Sequence, residues 1–334
     1  MAVQNFAGGL DQIVMIPLPS LSIVAPTAPQ TGYEVPINDN YDVSIRQSFE
    51  LFGTLNTTGS PDEQLEGTES VNGPLDWYIT WNTAPLLFAQ LIGGTVTTGA
   101  GPDYVHTNTL GDQVNKIGEA FALEHHQLQA DPATQYMLVF GGRISTSTLT
   151  VSANGGVVFN TQVEALREAL PSTTAVADTI IEVTDSPISA KLATLTIDTV
   201  DSPCKVVEFT MQIDHQLDTD TYALFSGTSG EGDRCTLTRG NPTVTGTFNV
   251  FFNDETYAYI TAARSVPKTT FDFVIRYEES ATKYLEITIS NAALALQGHA
   301  IQGSAGYNCK FTYVASGDDA VIAETGNEQI SYPA

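Results

Sequence analysis

TVTGTFNVFF, residues 243–252, alternates polar and apolar side chains as a half-buried strand does, and SVNGPLDWYI, residues 70–79, echoes it earlier in the chain. Aligned, Val71 meets Val244, Gly73 meets Gly246, and Leu75, Trp77 and Ile79 meet Phe248, Val250 and Phe252. The offset, 246 − 73 = 173, is about half of the 334 residues. The apolar phase predicts that Phe248, Val250 and Phe252 pack inward and leaves Asn249 and Asn253 on the other face.

The segments downstream of the two phrases also match. After the first comes NTAPLLFAQLIGG, with Asn82 or Thr83 as N-cap, Pro85 in the first turn and Gly93 as the stop. Leu87, Phe88, Leu91 and Ile92 predict an amphipathic helix. After the second comes NDETYAYITAAR, where Asp254 can cap and Tyr257, Ile260 and Arg264 share a face. Further on, YMLVFGGRISTSTLTVSANGGVVFNTQVEAL reads as two strands, an Asn154-Gly155 hairpin and a third strand. Its later counterpart, TTFDFVIRYEESATKYLEITISNAAL, is a strand pair around a polar turn. Upstream of the echoes lie VSIRQSFELFG and VVEFTMQIDHQL, so strand, loop, strand, helix and strands occur twice. The segment 94–113 is an insertion in the first half that reads as a protruding loop or hairpin. Residues 1–38 read as an extended arm, because Pro17, Pro19, Pro26, Pro29 and Pro36 remove backbone donors.

The composition is that of a mainly antiparallel β protein, rich in Thr, Val and Gly, with 42% hydrophobic residues. The net charge of −25 argues against a protein that grips or reads DNA phosphates. It fits a solvated acidic surface, and a high-salt environment would favour the same bias. Cys204, Cys235 and Cys309 lack metal-type spacing and read as buried free thiols. The N-terminal segment has no basic region of a signal peptide, and no apolar run reaches the roughly 18 residues of a membrane span, so a soluble protein with no membrane insertion is expected.

Candidate chemistry is thin. Neighbours His125 and His126 point to opposite faces of a strand and cannot share one metal. His106, His215 and His299 are isolated. GTSGEGDR, 227–234, lacks the Lys-Ser/Thr of a phosphate loop, and Asp214, Asp218 and Asp220 lack the Gly and Glu of a calcium loop. No catalytic, cofactor or metal site is expected, and the chain does not read as an enzyme.

In this order of phrases the chain resembles the major tail tube proteins of long-tailed, siphovirus-like bacterial and archaeal viruses. The likeness runs over about residues 40–320, through ESVNGPLDWYIT, APLLFAQLIGG, VFGGRISTSTLTVSANGGVVFNTQVEAL, VVEFTMQID, RGNPTVTGTFNVFFNDE and LEITISNAALAL. It implies duplicated β-sandwich or barrel domains, each with a flanking helix: an arm at 1–38, a first tube domain at 39–168, a connector at 169–198 and a second tube domain with its tail at 199–334. Some members of that family fuse two such domains and close as trimers with pseudo-sixfold symmetry, while most form hexamers of single domains. The resemblance also implies stacked rings in the virion tail, assembled in the host cytoplasm. Partners would be tape measure, terminator and distal tail proteins, with transient, non-sequence-specific passage of double-stranded DNA during ejection. Ring stacking would fall to the arms and the 94–113 loop.

Edge strands left open by a single chain would be removed by lateral pairing into one barrel. Six domains of about four strands, spaced by roughly 4.8 Å and tilted near 40°, would enclose a circle about 45–50 Å across. An acidic wall would let DNA slide, and Asp42, Glu50, Asp76, Glu208 and Asp214 are the candidate lumen-facing acids. Two other classes stay open: another non-enzymatic virion part (decoration, terminator or connector protein) or a carbohydrate-binding β-sandwich using Trp77 and Trp81. The phase that Trp77 shares with Leu75 and Ile79 favours core packing instead.

Overall fold

The computed structural model describes residues 12–55, 61–92, 95–100, 103–110, 120–127, 135–151, 155–198, 200–201, 206–221, 234, 236–251, 254–280, 283–301, 307–316 and 320–326. The first half runs β1 (Gln12–Leu18), β2 (Gln30–Glu34), β3 (Ile37–Tyr41), β4 (Ser44–Leu55), β5 (Pro61–Tyr78), α1 (Ala84–Ile92), β6 (Thr95–Ala100), β7 (Asp103–Thr109), β8 (Ala120–Gln127), β9 (Gln135–Val151), β10 (Val158–Ala165) and β11 (Arg167–Glu168). After β12 (Ala177–Ile181) the second half runs β13 (Ala193–Ile197), β14 (Val200–Asp201), β15 (Val206–Asp214), β16 (Thr243–Phe251), α2 (Asp254–Arg264), β17 (Thr270–Ser280), β18 (Lys283–Ile301), β19 (Tyr307–Ser316) and β20 (Ala320–Gly326). The fold is mainly β, as composition and alternation predict, and consistent with a sandwich.

Two strands are long enough to serve two neighbours in succession. β9 pairs with β8 through its N-terminal part and with β10 through its C-terminal part. β18 does the same with β17 and β19. Around them the ladders run β2–β1–β8–β9–β10–β5–β4 in the first half and β14–β13–β17–β18–β19–β16–β15 in the second.

The match extends to register. Phe121, Leu123 and His125 face Gly142, Val139 and Met137; Phe271, Phe273 and Ile275 face Ala292, Ile289 and Ile287. Every one of these residues has its counterpart 271 − 121 = 150 positions later, and both ladders slip by one residue at the same place. At the slip sit Gly141, with φ 64°, and Asn291, with φ 54°. A bulge needs a left-handed residue there, and glycine and asparagine are the side chains that accept it most cheaply.

The echoed glycines have a common cause. A Cβ on Gly73 would overlap the carbonyl oxygen of Asp42, and a Cβ on Gly246 would overlap that of Thr210. Gly73 faces Val163 across the next strand pair and Gly246 faces Tyr313, again 150 residues apart. Close backbone approach, rather than a turn, therefore excludes a side chain at both positions.

Leu75, Trp77 and Ile79 are buried, as are Phe248 and Val250; Phe252 and Asn253 lie outside the described residues. Phe248 stacks on Phe311 at 5.0 Å and meets Phe273 at 5.3 Å, while Tyr259 of α2 stands edge-on to Phe248 and Phe271. The burying face of α2 is thus carried by Tyr259, Ala262 and Ala263, whereas Tyr257 and Arg264 of the predicted stripe are exposed. α1 differs from its amphipathic expectation too: from Ala84 to Leu91 only Pro85 is not a core hydrophobic or the buried Gln90, and even Pro85 is buried. A helix apolar on all sides needs cover on all sides, and α1 obtains it from β7, β9 and β20. Its N-terminus is closed by Thr80 and Thr83, each hydroxyl accepting the other's backbone N–H.

The described part of the predicted arm is extended but internal. β1 lies between β2 and β8, with Val14, Met15 and Ile16 wholly buried. The 94–113 segment holds the β6–β7 hairpin, whose second strand pairs with β20, so it ties the first half to the second. β12 adds in parallel to β2 within the 169–198 connector, and β13 pairs with β17.

Candidate functional site

The halves join edge to edge. Phe209–Asp214 of β15 pair with Val151–Thr146 of β9, making an unbroken run β4–β5–β10–β9–β15–β16–β19. Directly opposed residues share a face. One face carries the row Trp77, Phe159, Leu149, Met211, Gly246 and Tyr313 into the core. The other carries Asp76, Asn160, Thr148, Gln212, Thr245 and Val314, and beside it Pro74, Gln162, Thr146, Asp214 and Thr243. Thr150, Thr210, Thr247 and Thr312 form a further row, in which the Thr210 and Thr247 hydroxyls lie 2.9 Å apart.

Four of the five candidate acids fall on this polar face. Glu208 is exposed and opposes Asn249, and Asp214 is half-buried and accepts the N–H of Gln216 at 2.8 Å. Asp76 is largely covered and accepts from Asn40 at 3.2 Å. Asp42 is exposed and paired with Arg46 at 2.6 Å; that hydrogen bond holds its carboxyl below the ordinary aspartate range. Glu50 of β4 opposes Leu65 of β5, and its side chain lies outside what is described. The threonine rows are the larger feature, and their sequence signal is the alternation in STSTLTV and TVTGT.

The junction is pinned by basic side chains. Arg239 donates to the Gln90 carbonyl near the end of α1 at 2.9 Å, a favourable place for a cation, and Arg143 donates to the Leu237 carbonyl. Arg234, itself buried, binds Glu164 at 2.8 Å. His215 sits among them, its backbone N–H donating to the Ser145 carbonyl, and its imidazole pKa is pushed down to about 3 by burial and by the charges of Arg239 and Arg143, against the pull of a Leu91 backbone hydrogen bond.

The histidine pair separates as strand geometry requires. His126 lies 2.9 Å from Glu124 and edge-on to Tyr136, whereas His125 meets Tyr41. Burial opposes the Glu124 charge, but His126 and the N–H groups of Val176 and Ala177 outweigh it and keep the carboxyl below its usual range. This clamp holds the connector onto the first half. The carboxylates of Asp214 and Asp218 are used in local turns, and among the described residues no group of three His, Cys, Asp or Glu could hold a metal. Cys309 is free and buried; Cys204, Cys235, Asn154 and residues 227–233 lie outside the described residues. Trp77 and Trp81 are buried, which removes the aromatic platform of the carbohydrate-binding alternative. No helix is long and apolar enough to cross a membrane.

The chain is thus mainly β and presents a continuous polar sheet face backed by an aromatic core. The model of the phage tail tube protein family matches residues 41–333, and the chain belongs to that family. It is a structural, non-enzymatic component of the virion tail, which self-assembles into a tube and works with other tail proteins. No curated protein matches the chain.

Proposed function

We propose that the chain is a tandem of two tube domains, that three chains close one ring of the tail tube, and that stacked rings form a conduit for double-stranded DNA in a long-tailed virus. The observation that carries this is the recurrence of one ladder, with its bulge at Gly141 and again at Asn291, inside a single chain. Two domains per chain turn the six positions of a ring into three chains. A hexamer of whole chains would need twelve domains around one lumen.

The polar face of the joined sheet faces the DNA in this reading. It offers threonine hydroxyls, amides and the acids Glu208 and Asp214, and most cations near it among the described residues are already engaged: Arg46 on Asp42, Arg143 on the Leu237 carbonyl and Arg234 on Glu164, with Lys310 opposite Asn249. Such a wall gives phosphates no lasting partner, so DNA slides. Tape measure, terminator and distal tail proteins are the expected partners at the bore and the ends. Electron microscopy of the purified protein tests the reading: long hollow cylinders with threefold rings support it, and monomers or sheets under all conditions contradict it.

A further inference from the structure

The two halves match in register but not in what covers them. Ile213 of β15 is wholly buried, whereas Ile45, its counterpart at 213 − 168 = 45, is 37% exposed. The same offset takes Phe209 to Tyr41 (209 − 41 = 168), and their partners Phe248 and Leu75 are the pair aligned by the echo (248 − 75 = 173). β15 has β9 on its outer edge; the corresponding edge of 41–46 carries no strand among the described residues, and the Ile45 N–H is met instead by the Glu168 carboxylate at 2.7 Å. Toward the far end of the chain the complementary edge has no partner strand among the described residues. β9 is covered by β15 over 146–151, but its counterpart on β18, out to Ile301, has β19 on one side and no described strand on the other.

The helices point the same way independently. α1 is enclosed because β20 of the second half packs on it, while α2 leaves Tyr257 66% exposed and is followed by Val266 at 95%. The first-half counterpart of β20 is the segment at β11, since Glu168 opposes Val139 as Ala320 opposes Ile289. Just beyond it Leu170 is 90% exposed. Among the described residues, each uncovered surface in one half of the chain therefore has its complement uncovered in the other.

We infer that the junction inside the chain is the template for the junction between chains: residues 298–301 of one copy pair antiparallel with residues 41–44 of the next. The register is carried over from the internal one. Thr148 with Gln212 and Thr150 with Thr210 transfer to Gly298 with Ser44 and Ala300 with Asp42. The same placement sets α2 and Val266 against the Leu170 segment of the neighbouring copy, as α1 lies against β20. The partner is a second copy of this chain, and the inference rests on the tube reading for its closure into a ring.

Disulfide trapping in assembled protein tests it, in a background where Cys204, Cys235 and Cys309 are replaced by Ala. Gly298 has open space where a side chain would go, so it accepts a substitution. The Ser44→Cys with Gly298→Cys variant should cross-link most of the protein between chains on oxidation, as should Asp42→Cys with Ala300→Cys. The mismatched Asp42→Cys with Gly298→Cys variant should cross-link little. Complete oxidation of either matched pair should end at a covalent closed ring rather than a growing ladder. Tubes that form but cross-link only in the mismatched pair, or within one chain, would overturn the register and leave the tube reading intact. Failure of the unaltered protein to form tubes would overturn both.

Discussion

The carbonyl oxygen of Thr210 occupies the place a Cβ of residue 246 would need, and the Tyr313 hydroxyl donates to that same oxygen at 2.9 Å. The glycine is therefore a packing requirement between β15 and β16, repeated by Gly73 against Asp42. Gly246→Ala and Gly73→Ala should each cost about 1–3 kcal/mol by overpacking. Gly298→Ala, where nothing lies within 4 Å, should leave the melting temperature almost unchanged. Thermal unfolding of the three variants checks this contrast.

Phe248 links the second echo to both its neighbouring strands and α2. Phe248→Ala should lower stability by about 3–5 kcal/mol, the range for a buried phenylalanine. Chemical denaturation of unassembled protein measures it. Val314→Ala, at a half-exposed position on the polar face, should cost far less.

His215 makes the fold acid-sensitive. It is neutral when folded, with its pKa at about 3, whereas in the unfolded chain it takes up a proton below about 6.5. The unfolded state thus binds more protons as pH falls from 6.5 toward 3, and stability falls by up to about 1.4 kcal/mol per unit over that window. Glu124 acts lower: its depressed pKa contributes stability above about pH 4.5 that is lost on further acidification. The melting temperature should already decline between pH 6.5 and 4.5, and His215→Gln should flatten that part of the profile whatever its absolute stability.

Glu208 and Asp214 can be reversed without touching the core. The Glu208→Lys, Asp214→Lys double variant should still form tubes but should slow or reduce genome delivery by about an order of magnitude, because paired cations on each copy give phosphates sites to hold. Infectivity of virions carrying the variant, with tail length as the control, reads this. Unimpaired delivery would count against a sliding wall.

The echo is legible in the sequence because its cause is local: backbone approach demands glycine twice, and alternation marks the buried Leu75, Trp77, Phe248 and Val250. The stronger repeat, β8–β9–β10 against β17–β18–β19, is hidden there, since a bulge can be made with Gly141 or Asn291 and the matching ladder position held by a half-buried His125 or a buried Ile275. Register recurs in the two halves while side chains do not. The burial of α1 is illegible for another reason. Its amphipathic stripe carries no sign of β20, which arrives more than two hundred residues later. Strand phrases point to acids one at a time, whereas the polar rows are set by pairing among distant strands, which only the fold reveals.

A cryo-electron microscopy reconstruction of the assembled tube tests the central claim most directly. The expected result is three chains per ring and six near-equivalent sheets around the bore, with the polar rows of β5, β10, β9, β15, β16 and β19 facing inward. Six whole chains per ring, or a bore lined by any other face, would contradict it.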